Sequence, residues 1–220
     1  MSEQSILEKS NFNQRGTKMI RKINKPVASG FLFIALISLL STSVSAAEYF
    51  NMKDGQLERP TGYREWVYVG TPVTPNDMNN GKAAFPEFHN VYIDPESWSH
   101  WKDTGNFRDG TILIKELVSV GSKAAVSGSG YFQGSFVGLE ATIKSSKHFG
   151  SEPGSWAYFS FSTPDHKSLN TTAAAFPSAS CNSCHEGAAA DDFVFTQYYP
   201  VLSAGKAKGV EATGGVNSDL

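Results

Sequence analysis

The sequence predicts a mainly β domain of the α+β class, an antiparallel sheet with a few short helices. Three observations predict it. Several segments rich in aromatic and β-branched residues are separated by turn-forming residues. A single helix with both ends marked interrupts them. An alanine-rich polar stretch follows, and it holds the only two cysteines of the chain, Cys181 and Cys184.

The elements follow in order. Ala47 to Pro60 is polar and reads as an arm. Glu65 to Thr71 reads as a strand, and Thr74 to Gly81 as a turn-rich loop. Phe88 to Ile93 is the second strand. Asp94 is an N-cap with Pro95 at the first helical position, so a helix is expected over Pro95 to Thr104, stopped by Gly105. Thr111 to Val120 and Tyr131 to Lys144 are the third and fourth strands. Gly134 and Gly138 weaken the latter unless something approaches closely. Trp156 to Phe161 is the fifth. Short helices are expected from Thr171, and a loose tail from Ala204.

The first part of the 220-residue chain reads as a leader. Arg21, Lys22 and Lys25 precede the apolar run Phe31 to Leu40, and small residues follow through Ser45-Ala46-Ala47. Residues 1–46 are therefore expected to be a signal peptide with an extended n-region, with Met19 as an alternative start. Residues 47–220 form one domain, long enough for a sizeable core. That part carries 13 Lys and Arg against 19 Asp and Glu, a formal charge of −6, which argues against nucleic acid and anionic membranes as partners.

Cys181-Asn182-Ser183-Cys184-His185 reads C-x-x-C-H, the attachment signature of a c-type haem. The thiols are spaced to add across two vinyl groups, and the adjacent histidine reaches the iron as axial ligand. A thioredoxin-like pair needs a βαβ context that the flanks lack, and a zinc site needs further cysteines. A structural disulfide is the alternative that export leaves open. An export signal with this motif points to the bacterial periplasm. The motif lies near the C-terminus, after a strand-rich body, so the expected fold packs one haem against a sheet.

An electron-carrying haem needs a second strong ligand, Met or His. Met52 and Met78 sit in loose polar segments. His89, His100, His148 and His166 are more readily read as hydrogen-bonded or surface residues. An open sixth position is favoured, though spacing alone does not decide it. Alternation puts Lys115 on one face with Leu113 and Leu117. It is either an edge lysine that deters aggregation or a buried amine able to act as a nucleophile. Alternation also puts Glu140 on a face with Phe132 and Phe136, where a carboxylate could shuttle protons, or at a strand end meeting water. Phe85 is a core anchor or the cap of a cavity. Arg64 has the fork geometry to approach haem propionates, or to bridge at a strand entrance.

Taken together, Tyr63–Thr71, Val91–Ser97, Phe107–Thr111, Lys115–Gly121, Gly138–Ala141, Glu152–Gly154, Cys181–His185 and Tyr199–Leu202 resemble the cytochrome P-460 family. The resemblance implies an antiparallel-sheet homodimer with one five-coordinate haem per subunit. It implies that Lys115 is cross-linked to a meso carbon of the porphyrin, that Glu140 is the distal carboxylate and that Phe85 is the distal phenylalanine. The implied activity is oxidation of hydroxylamine, to nitrous oxide under anaerobic conditions, with binding of nitric oxide and electron delivery to a soluble periplasmic cytochrome c. The rivals are a β-type cytochrome c′, which binds nitric oxide without the cross-link, and a six-coordinate electron carrier.

Overall fold

A computed structural model describes residues 48–207. In chain order the strands are β1 (Met52–Lys53), β2 (Gln56–Glu58), β3 (Val67–Gly70), β4 (Phe88–Ile93), β5 (Ile112–Val120), β6 (Ala124–Ala125), β7 (Gly128–Ser129), β8 (Gln133–Lys144), β9 (Trp156–Ser160) and β10 (Thr172–Ala173). The α-helices are α1 (Pro95–Thr104), α2 (Ser146–Phe149), α3 (Ser178–Ala188) and α4 (Pro200–Gly205). The expected mainly β, antiparallel architecture is what forms. The leader expected over residues 1–46 lies outside the described residues. Among those described, no helix is long and apolar enough to cross a membrane.

The central sheet has the order β3-β4-β5-β8-β9, every neighbour antiparallel. Both of its faces are covered, because apolar residues occupy both parities along β5: Ile112 and Ile114 face one side, Leu113 and Leu117 the other. On the first side, Leu139, Ala141, Ile143, Ala157 and Phe159 pack against Phe50, Leu57 and Ala173. Leu57 and Ala173 belong to the small sheet β1-β2-β10. The N-terminal segment is thus not the arm expected from its polarity. Phe50 and Leu57 are buried there, with Tyr49 and Met52 packed against the same core, and they bring the polar remainder with them. On the second side, Val69, Val91, Ile93, Leu113, Trp156 and Tyr158 pack against Trp101 of α1 and Leu202 of α4, with Phe107 and Val194. The result is three layers: small sheet, central sheet and helices.

Helix α1 starts and stops where its local chemistry dictates. The Asp94 Oδ1 accepts from the Ser97 N–H at 2.8 Å, and Gly105 closes the helix at φ 70°. The other carboxylate oxygen of Asp94 accepts from the Ile112 N–H at 3.1 Å, so one fully buried side chain caps α1 and pins the start of β5. Trp101 stacks on Phe107 at 4.5 Å and donates its Nε1–H to the Leu202 carbonyl at 2.8 Å, which docks α4. The tail is therefore ordered further than expected. Gly205 fits beneath Trp98, where a Cβ would meet the ring at 2.1 Å, and Lys206 reaches Asp191.

Candidate active site on the helix-covered face

Strands β5 and β8 form a long antiparallel pair whose register sets Lys115 opposite Glu140. Directly opposed residues share a face, and here the side chains meet: Lys115 Nζ lies 2.5 Å from Glu140 Oε2. Both are about a quarter exposed. The same ammonium stands 4.8 Å from the ring centroid of Phe85, a cation–π contact. Phe85 sits in the loop before β4, where its carbonyl accepts from Thr74 Oγ1 at 2.6 Å. Its ring is half-exposed, so it lies over the cluster instead of anchoring the core. Three predicted site residues, each from a different part of the chain, are thus brought together.

A fourth group joins them. His89 of β4 is paired with Leu117, on the face of Lys115, and its ring meets Phe85 edge-on at 6.0 Å. Its Nε2 is buried without a hydrogen-bond partner. Burial, helped by the positive charge of Lys115, lowers its pKa to about 4, so the imidazole is neutral near pH 7. Strand alternation puts His89 in phase with Val91, but only the β4–β5 register, which is a tertiary fact, sets it beside this cluster.

The glycines of β8 are explained by close approach within the chain itself. A Cβ on Gly138 would meet Ser162 Oγ at 2.6 Å and Leu117 Cδ1 at 2.9 Å; one on Gly134 would meet Ser119 Oγ at 2.6 Å. The expectation that Phe136 shares the Glu140 face is corrected. Gly138 pairs with Leu117 and Phe136 with Val118, so Val137 is an extra residue that reverses the alternation. Phe136 consequently stacks under the Arg64 guanidinium, 4.7 Å away.

Arg64 stands apart from the cluster. Its Nη2 lies 2.5 Å from Glu116 Oε1, which also accepts from Arg64 Nε and from the Tyr63 hydroxyl, each at 2.7 Å. Glu116 follows Lys115 in the strand and so projects from the opposite face. Of the two readings offered for Arg64, the structure shows a bridge, made to Glu116 through Nε and Nη2.

The C-x-x-C-H segment lies on α3. Cys181 and Cys184 are free thiols one helical turn apart, Cys181 half-buried against the helix-side core and Cys184 exposed. Burial first, then Glu140, raises the Cys181 pKa. The His185 ring lies 4.4 Å from that of Tyr158 on β9 and 4.7 Å from that of Phe195. Its Nδ1 is 2.7 Å from the Phe193 carbonyl. A carbonyl only accepts, so Nδ1 carries the hydrogen and Nε2 keeps its lone pair. Burial lowers the His185 pKa and favours that neutral form. Tyr158 pairs with Thr142, two residues from Glu140 on the same face. Its buried hydroxyl, like His89 Nε2, has no partner. Met78 is exposed, and Met52 packs against the core on the small-sheet side.

These residues fit a haem: a neutral imidazole with a free nitrogen, two free thiols on the same helix, and orphaned polar atoms on the sheet face toward it. Sheet, helix and histidine define a haem cytochrome. Residues 60–196 match the family model of cytochrome P460, and the chain belongs to that family. A haem cofactor and haem-dependent redox chemistry come with this membership. No curated protein gives a significant match to the chain.

Proposed function

We propose that the protein is a periplasmic c-type cytochrome that oxidises hydroxylamine, with nitrous oxide as product under anaerobic conditions, and also binds nitric oxide. It acts as a homodimer and passes electrons to a soluble cytochrome c. Cys181 and Cys184 would tether one haem per subunit, His185 would be its axial ligand, and Lys115 would bond the porphyrin rim. When bound, the haem supplies an iron centre that takes the nitrogen ligand and accepts its electrons.

The observation that carries this reading is the meeting of Lys115, Glu140 and Phe85 on the sheet face against which His185 packs. Hydroxylamine oxidation to nitrous oxide releases one proton for each electron. In this reading the Glu140 carboxylate takes those protons, and His89, a neutral imidazole on the same face, is a second acceptor. Phe85 limits the room for water above the cluster. Replacing Glu140 by Gln keeps the shape and removes the base. Hydroxylamine turnover should fall by roughly 10²–10⁴-fold with haem attachment intact. Unchanged turnover would remove Glu140 from the chemistry. Weighing the haem peptides after digestion tests the rest: one porphyrin should join the Cys181–Cys184 peptide to the Lys115 peptide.

The Lys115–Glu140 ion pair also favours a second reading, a β-type cytochrome c′ that binds nitric oxide without turnover. An amine held in an ion pair offers no lone pair to a porphyrin carbon. A haem joined only through the cysteines would decide for that reading.

A further inference from the structure

We infer that Asp192 is a positioning residue for the axial histidine: it fixes the Phe193 carbonyl against His185 Nδ1 and so sets how strongly the imidazole donates to iron. The inference rests on the reading of His185 as the axial ligand.

The segment between α3 and α4 contains two consecutive non-glycine residues with left-handed backbone, Asp192 at φ 39° and Phe193 at φ 64°. For a bulky residue such as phenylalanine this conformation is unfavourable and persists only where its surroundings impose it. Here they do so from three sides. The Asp192 carboxylate accepts from Trp156 Nε1 at 3.2 Å and pairs with Lys144 Nζ at 3.0 Å. Lys144 Nζ donates in turn to the Gly154 carbonyl at 2.8 Å. Asp191, on the other side, accepts from Thr196 Oγ1 and pairs with Lys206 at 2.5 Å. The Phe193 ring rests on Gly154, where a Cβ would come within 2.6 Å of it. The product of this restraint is one carbonyl aimed at one imidazole N–H, 2.7 Å away.

Packing of the Phe193 ring against the core and the polar anchors of Asp192 hold that conformation, and the hydrogen bond to His185 is what it presents. A carbonyl held close to Nδ1–H gives the imidazole imidazolate character, which strengthens the iron–nitrogen bond and favours ferric iron. Asp192 is anchored to β8 and β9, the strands that also carry Glu140 and Tyr158. The setting of the axial ligand is thereby tied to the sheet that carries the distal cluster.

The test uses the ferrous holoprotein and two readouts, the iron–histidine stretching band in resonance Raman and the reduction potential. In Asp192→Ala the loop loses its anchor and the hydrogen bond weakens. The band should move to lower frequency, and the ferric-to-ferrous ratio at fixed solution potential should shift about tenfold toward ferrous, about 59 mV for a one-electron couple. Asp192→Asn keeps an acceptor for Trp156 and loses the ion pair with Lys144, so it should shift both readouts in the same direction by less. If Asp192→Ala does not fold, the Asn variant decides. Wild-type band and potential in a folded variant would overturn the inference, because a purely structural role would lower only the melting temperature. A wild-type ferrous protein that is high-spin and five-coordinate, yet shows no iron–histidine band, would instead overturn the axial assignment itself, and this inference with it.

Discussion

Lys115 and Glu116 are neighbours in one strand, yet the two faces they project from are built on opposite rules. On the Glu116 face no buried side-chain polar atom among the described residues lacks a partner. Glu116, almost fully buried, receives Tyr63 and two nitrogens of Arg64. Asn90 beside it exchanges hydrogen bonds with Gln133 at 2.8 and 3.2 Å. On the Lys115 face the ion pair is partly open to solvent, and His89 Nε2 and Tyr158 Oη are buried without partners. A buried polar atom left unpaired is costly, so a closed network marks a stabilising surface and an open one marks a place where something else binds. A single pleat step separates scaffold from chemistry.

Acid should expose this contrast most strongly. The His89 pKa lies near 4 in the folded protein against 6.5 for the free side chain, burial being the main cause. A depressed pKa means that the unfolded chain binds the proton more readily. Stability is then complete above about pH 6.5 and is lost as pH falls from there toward 4, by up to about 3 kcal/mol. Denaturant titrations of the haem-free protein at pH 7 and pH 4.5, on wild type and His89→Leu, measure it. The variant should lose much less stability between the two. Equal acid loss in both proteins would mean that His89 is not the unpaired, buried group that distinguishes this face.

The opposite face should respond to the loss of Glu116 in stability alone. Glu116→Ala leaves the Tyr63 hydroxyl and a guanidinium without their acceptor. Arg64 can turn to water, since its side chain is more than half exposed, so the cost is set mainly by Tyr63 and the vacated volume, about 1–3 kcal/mol. Hydroxylamine turnover per folded haem should be unaltered. A large fall in turnover at unchanged stability would move Arg64 and Glu116 into the site and erase the division between the faces.

How much of this division could be read from the sequence follows from how local its causes are. The cap at Asp94, the stop at Gly105 and the strand at Phe88–Ile93 emerge at the residues expected, because a side chain, a left-handed glycine and a two-residue period act over a few positions. The same period places Lys115 with Leu113 and Leu117. What the sequence leaves unread has mostly non-local causes. The extra residue at Val137 sends Phe136 to the Arg64 side, and no pattern in the sequence marks that bulge. Strands of two or three residues, as at Met52–Lys53 and Gln56–Glu58, are too short to show a period, so the segment before Pro60 reads as an arm. Arg64 has the right chemistry for a carboxylate but meets Glu116, and which carboxylate it meets depends on the register of strands far apart in the chain. Asp192 and Phe193 carry no motif; only the fold places their loop against His185.

Lys115→Met should have the smallest effect on stability, within about 1 kcal/mol, because an ion pair that solvent reaches gains little from its Coulomb energy. Its effect on the cofactor should be of another kind. The thiols of Cys181 and Cys184 do not depend on Lys115, so haem attachment should persist, while the ferrous absorption spectrum should become that of an ordinary c-type haem. Arg64→Met, the matched change on the other face, should leave the spectrum as it is. Stability and spectrum then separate the faces independently: a substitution behind the sheet moves the first, and one in front moves the second. Should Lys115→Met leave the spectrum unchanged, the amine plays no part at the porphyrin, and the pair with Glu140 is a salt bridge and nothing more.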